Sequence, residues 1–166
     1  MQYTEEEINF LVHCPKIIEE APKKEMRVDR GSRRNDLRLR TKDGQAAFHV
    51  FIRQNEKFPE NFSIGLDYLP QDGGRVPLLR CNGPHGEFVG NPARPHDHFL
   101  FHIHKATPEN IEAEMMANHG GVATKAFASF RKALAFFFRE VRVEDATKYF
   151  PAAEEQITFD LMGDGE

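Results

Sequence analysis

Between Asp36 and Ile52 the chain reads DLRLRTKDGQAAFHVFI, and side-chain character changes at nearly every step. Leu37 and Leu39 alternate with Arg38 and Arg40; beyond Asp43-Gly44, Phe48, Val50 and Ile52 alternate with His49 and Phe51. A period of two is that of a strand with one buried face, and Asp-Gly suits the tight turns that match strand twist. The stretch is therefore a hairpin, with Arg38, Arg40 and His49 opposite the apolar row. It excludes an all-helical fold and asks for further strands to complete a sheet.

The neighbours supply them. Phe62, Ile64, Leu66 and Tyr68 repeat the alternation with Asp67 on the other face, and Gln71-Asp72-Gly73-Gly74 turns the chain into a fourth strand, Val76 to Cys81. Pro77 cannot donate to a ladder, so that strand is expected at an edge or at a bulge. From Pro95 onward Phe99, Phe101 and Ile103 alternate with His96, His98, Leu100, His102 and His104, which reads as a fifth strand with its apolar side inward and imidazoles outward. Upstream, Thr4 and Glu7 have capping-box spacing before Ile8, Leu11 and Val12, so residues 5–13 form a short helix that Pro15 ends. Residues 16–35 read as a connector with at most a helical turn near Ile17 and Ile18.

Helices follow the strands. Thr107-Pro108-Glu109 is a helix start and His119-Gly120-Gly121 its stop, while Phe127, Phe130, Leu134, Phe137, Phe138 and Val141 recur at helical spacing from Thr124 to about Val141. That stripe is expected to cover the apolar face of the sheet. The fold class is thus α+β: a mainly antiparallel sheet of about five strands, one face covered by C-terminal helices, with a short N-terminal helix. One domain is expected over 1–143 (1–35 helix and connector, 36–105 sheet, 107–143 helices), followed by an acidic segment, 144–166, partly disordered or docked through Tyr149, Phe150 and Phe159.

Charge and cysteines bound the function. The net charge of −4 divides into −4 over residues 1–22, −6 over 144–166 and +6 between them. A basic body favours a phosphate-bearing partner. Cys14 and Cys81 lack C-x-x-C spacing, no apolar run nears the roughly 20 residues that cross a bilayer, and the acidic start lacks a secretion signal, so a cytoplasmic protein without a membrane partner is expected. Five of the eight histidines lie between Arg80 and Lys105: His85, His96, His98, His102 and His104. Imidazoles two apart on a strand lie about 6 to 7 Å apart, close enough to work on one small group. Near neutral pH one ring takes a proton while another gives one, as cleavage beside a ribose 2′-OH requires, and a guanidinium holds the phosphate. His85, His98, His102 and His104 are the candidate catalytic residues, and Arg80, Asn82, Arg38 and Arg40 the candidate substrate-binding ones. No cofactor is expected, although two of the imidazoles can share a divalent metal with His85 or Asp97.

Arg80, Gly83, His85, Asn91-Pro92 and His102-x-His104 resemble the pattern of a family of small bacterial and phage proteins catalogued as a domain of unknown function. Thr4-Glu5-Glu6-Glu7, Pro15-Lys16-Ile17 and the Asp43-Gly44 hairpin fall in the same order, so this resemblance spans roughly residues 3–105. More distantly, Arg80-x-Asn82-x-Pro84-His85 followed by Pro95-His96-x-His98 is similar to the histidine motif of TumE-type toxins of toxin–antitoxin pairs. Cys81 stands where those toxins tend to have an aromatic, and their tyrosine after the second pair is missing. The two resemblances select different pairs, His102/His104 and His96/His98. They imply a toxin-like protein of a mobile element that acts on RNA and meets a cognate antitoxin. The alternatives are a protein-binding module or antagonist, and a metal-dependent hydrolase.

Overall fold

The structure, a computed structural model, describes residues 2–85, 99–114 and 121–151. Helix α1 (Glu5–His13) begins with the expected reciprocal cap, Thr4 Oγ accepting from Glu7 N at 3.1 Å while Thr4 N donates to the Glu7 carboxylate at 2.8 Å. Strands follow: β1 (Lys16–Glu20), β2 (Arg27–Asp29), β3 (Ser32–Thr41), β4 (Ala47–Asn55), β5 (Phe62–Leu69), β6 (Val76–Asn82) and β7 (His102–Lys105). Then come α2 (Pro108–Glu112), β8 (Val122–Ala123), α3 (Phe130–Glu140) and α4 (Ala146–Tyr149).

The sheet has eight strands rather than about five, in the order β1-β3-β4-β5-β6-β7-β8, with β2 also paired to β3 and every named pair antiparallel. Two of the additional strands lie in the expected connector. In the β2–β3 turn, Arg30 and Gly31 both adopt positive φ (50° and 76°), a hairpin geometry that Asn-Gly or Asp-Gly would have announced and Arg-Gly does not. The β3–β4 hairpin turns at Asp43-Gly44 as read, with Gly44 at φ 73° and Thr41 Oγ donating to Asp43 at 2.6 Å. Pro77 sits at a bulge: the partner of β5 jumps from Leu79 to Pro77 between Leu66 and Asp67, leaving Leu78 unpaired in the ladder.

One sheet face is the core. Leu37, Leu39, Phe48, Val50, Ile52, Phe62, Ile64, Leu66, Leu79 and Cys81 are buried there with Ile8, Leu11 and Val12 of α1 and Ala133, Phe137 and Phe138 of α3. Helix α3 starts at Phe130, not Thr124. Thr124 N is held by the Phe101 carbonyl at 2.8 Å as the chain leaves β8, and Ser129 Oγ caps by accepting from Lys132 N at 3.2 Å. Phe127 nevertheless reaches the core, its ring 6.0 Å from that of Phe101 and 6.3 Å from that of Phe62. Helix α2 starts at Thr107-Pro108 as read, but its described helical residues end at Glu112.

Residues 144–151 pack on this body. Asp145 accepts from Ile18 N on β1 at 3.0 Å, and the Phe150 ring lies 4.9 Å from that of Phe138; Phe159 is outside the described residues. Ending the chain after Val143 removes both contacts. We expect a loss of about 2 kcal/mol or more from the lost aromatic packing and the bared edge amide, read as a lower urea midpoint.

Candidate functional site

The face of the sheet opposite the core is polar, and its contents follow from register. Asp36, Phe51, Gly65, Arg80 and His104 are successive cross-strand partners from β3 to β7. Arg34, Arg53, Ser63, Asn82 and His102 form the row beside it, and Arg38, His49 and Asp67 the row on the other side. Among the described residues the strand positions of this face hold Arg27, Arg34, Arg38, Arg40, Arg53 and Arg80 and no lysine. An arginine offers planar, paired donors that match phosphate oxygens, which a lysine does not.

His102 and His104 stand on this face, opposite Ile103, whose cross-strand partner is core Cys81. They are not open to solvent, however: His102 is 0% and His104 1% exposed. Gly121 closes on them, since a Cβ there would lie 2.9 Å from His104 Cε1 and 3.1 Å from His102 Cδ2. The strand is also shorter than the alternation suggested. It begins at His102, while Phe99 and Leu100 precede it and are exposed, so Phe99 is not part of the core. His96, Asp97, His98 and Asn91-Pro92 lie outside the described residues.

His102 has a defined bonding state. Its Nδ1 is 2.8 Å from the Leu100 carbonyl, which can only accept, so Nδ1–H donates. Ser63 Oγ donates to Asn82 Oδ1 at 2.7 Å, which turns the Asn82 amide nitrogen to His102 Nε2 at 3.2 Å. Both ring nitrogens are then engaged in a neutral imidazole. The rings of His85 and His104 lie on either side, each centroid 5.1 Å from that of His102. His102 is thus held through both ring nitrogens, and half-buried His85 lines a cleft formed by the described residues.

That cleft is a groove of about 480 Å³ lined by Ser32, Arg53, Gln54, Asn55, Asn61, Phe62, Ser63, Arg80, Asn82 and His85. Among the described residues no carboxylate lines it. Arg80 lies with its guanidinium carbon 5.3 Å from the Phe51 ring centroid, and Arg53 with its own at 5.7 Å. Arg53 is pinned, three of its five donors engaged by Asp36 at 2.9 Å and by the Asn35 and Ile52 carbonyls at 3.0 and 2.8 Å. Arg80 is half-buried, yet among the described residues it has neither a hydrogen bond nor an ion pair. Burial lowers its pKa from the ordinary value, opposed by the charge of Asp67, and a guanidinium remains cationic through the neutral range all the same. Asp36 is pushed up by its partial burial, but hydrogen bonds and charge from Arg53, then His49, more than reverse that, and it stays below the usual carboxylate range.

The candidate residues therefore divide. Arg80, Asn82, His85, His102 and His104 come together; Arg38 and Arg40 do not join them. Arg38 is held by Glu19 at 2.8 Å, and Arg40 donates to the carbonyls of Thr41 and Lys42, both at 3.2 Å, toward the β1 edge of the same face. Arg53 and Ser63 escaped the sequence reading, although extending the parity of Phe51 and of Asp67 along their strands would have placed both on this face. His49 adds a fixed network beside them, with Nε2 3.0 Å from Asp36 and Nδ1 3.1 Å from Arg75 Nη1. Cys81 is a core residue whose thiol is pushed up by burial and then by the charge of Glu140. Among the described residues no group of three or more His, Cys, Asp or Glu side chains is placed to hold a metal ion.

Fold and site together define an α+β protein whose antiparallel sheet packs helices on one face and presents arginines and a polar groove on the other. Comparison of the chain with family models, with curated proteins and with solved structures finds no match. Among the described residues no helix is long and apolar enough to cross a membrane.

Proposed function

We propose that the protein acts on RNA at the groove beside Arg80, as a toxin-like ribonuclease. The observation that carries this reading is Arg80 itself. A half-buried guanidinium stacked on an aromatic ring, with its donors unspent and no carboxylate in the groove, is suited to a phosphate. His85 shares that groove and is the imidazole that meets the substrate. In the reaction His85 takes the proton of a ribose 2′-OH as O2′ bonds to phosphorus. The bond from phosphorus to O5′ then breaks, and the departing oxygen takes a proton from water, leaving a 2′,3′-cyclic phosphate and a 5′-hydroxyl. Arg80 neutralises the charge that gathers on the phosphoryl oxygens. His102 sits behind His85, anchored through Asn82, and His104 completes the row.

The test is incubation of the full chain with single-stranded RNA in chelator. We expect cleavage with cyclic phosphate ends, and a His85→Ala rate lower by about 100-fold or more, the usual weight of one acid–base group. The melting temperature should change little, because His85 lies in a loop. Arg80→Lys should lose most activity, since an ammonium cannot replace a paired donor set. RNA left intact by folded protein, with chelator and again with zinc or manganese supplied, would sink the enzymatic reading. Bound but uncut RNA would make the protein a binding module instead.

A further inference from the structure

We infer that the substrate is single-stranded, and that the Arg80 guanidinium layered on Phe51 is the platform on which one unpaired base stacks while its phosphate lies against the donor edge of Arg80. This rests on the proposal that the groove takes RNA and adds how the RNA is read. Phe51 holds a position on the polar face that alternation would ordinarily give to a polar residue, and its cross-strand partner is Gly65. Glycine in the interior of a strand gives up packing and conformational entropy, and it often marks a place where something must approach the backbone closely. Here the close approach is the Phe51 ring. A Cβ at Gly65 would stand 2.2 Å from Phe51 Cζ and 2.3 Å from Cε1. The ring therefore lies down across β5 toward β6 instead of standing off the sheet.

Its neighbours complete the arrangement. The guanidinium carbons of Arg53 and Arg80, at 5.7 and 5.3 Å from the ring centroid, both belong to residues that line the groove. A guanidinium layered on an aromatic ring offers its outer plane to flat heteroaromatic rings, while its donors reach a phosphate at the edge of that plane. Every base has a π-face, so such a surface selects for unpaired bases and not for sequence. In a duplex those faces are already stacked within the helix, and only edges and backbone remain on offer. A groove of about 480 Å³ also suits a nucleotide-sized unit and not the width of a duplex.

The experiment measures binding by the full chain carrying His85→Ala, so that the RNA survives. Three probes are compared: a short single-stranded RNA, a hairpin duplex of matched length, and an abasic ribose-phosphate oligomer. We expect the single strand to bind at least 10-fold more tightly than either of the others. Phe51→Leu keeps an apolar side chain beneath Arg80 but removes the flat ring that holds its guanidinium plane for stacking. It should weaken single-strand binding by about 5- to 100-fold, the usual loss of one stacked base, and leave abasic binding unchanged. Phe51→Trp should restore the preference. Arg80→Ala should weaken all three probes. Equal binding of single strand and duplex, or Phe51→Leu weakening the abasic oligomer as much as the single strand, would overturn the platform and leave Arg80 as a phosphate ligand alone. Failure of every probe to bind would instead overturn the RNA reading itself.

Discussion

Replacing Lys16 by Met is expected to lower stability by about 2 to 4 kcal/mol at neutral pH, and by about 3 kcal/mol more at pH 10.5. Lys16 is completely buried, a rare position for a lysine. Its ammonium donates to the carbonyls of Val12 and Cys14 at 2.8 Å each and of Val141 at 3.1 Å, and it lies 4.7 Å from the centre of the Phe48 ring. Those carbonyls belong to the ends of α1 and α3, where helix carbonyls lack partners and carry partial negative charge. One side chain thus ties both helices to β1. Methionine fits the volume but leaves three buried acceptors without a donor, each worth about 1 to 3 kcal/mol, against which relief of the buried charge is a partial offset.

The pH dependence follows from the same burial, which lowers the Lys16 pKa from its ordinary value to about 8. Below pH 8 both the folded and the unfolded chain hold the proton, and the cost of burying the charge is present in full. Between pH 8 and about 10.5 the folded chain releases the proton while the unfolded chain keeps it, so unfolding takes up a proton and stability rises with pH. Lys16→Met has no such group. Urea unfolding of both proteins across this range should show the gap widening toward high pH, and a constant gap would mean that Lys16 titrates normally in the fold.

Gly83→Ala should be as damaging, and it should take the site with it. A Cβ at Gly83 would lie 1.7 Å from the Glu60 carbonyl oxygen and 2.9 Å from that carbonyl carbon, with Phe62 Cδ1 also at 2.9 Å. The main obstacle is backbone, which cannot swing aside as a side-chain tip can. The end of β6 must leave β5, breaking the bond from Gly83 N to the Phe62 carbonyl, now 3.0 Å. We expect a loss of about 3 kcal/mol or more, in the range of severe overpacking. Asn82 precedes this residue and His85 follows it by two positions, so the proposed binding of RNA should fall even where the protein remains folded. Gly65→Ala is the informative contrast: it meets only the tip of the Phe51 ring, so the fold should survive while the ring is displaced. Differential scanning calorimetry of the two variants separates these outcomes.

Much of this arrangement was legible in local patterns. Alternation from Asp36 to Ile52, the Asp43-Gly44 turn, the Thr4–Glu7 cap and the edge or bulge that Pro77 requires are properties of a few adjacent residues, and the structure contains each of them, with Pro77 at a bulge. Parity likewise put His102 and His104 on the side of the sheet away from Ile103. Parity says which side a residue takes but not what covers it. That is why two histidines expected in the open are buried beneath Gly121, and why the imidazole that lines the groove is His85, from the preceding loop. The strand partners of residues 16–35 and the meeting of Arg53 with Arg80 across β5 were equally hidden, because pairing between segments distant in sequence depends on register, turn geometry and the packing of a shared core. Lys16 is the clearest instance: in the chain it is one charge after a proline, and only the convergence of two helix ends on β1 makes it the residue that joins them.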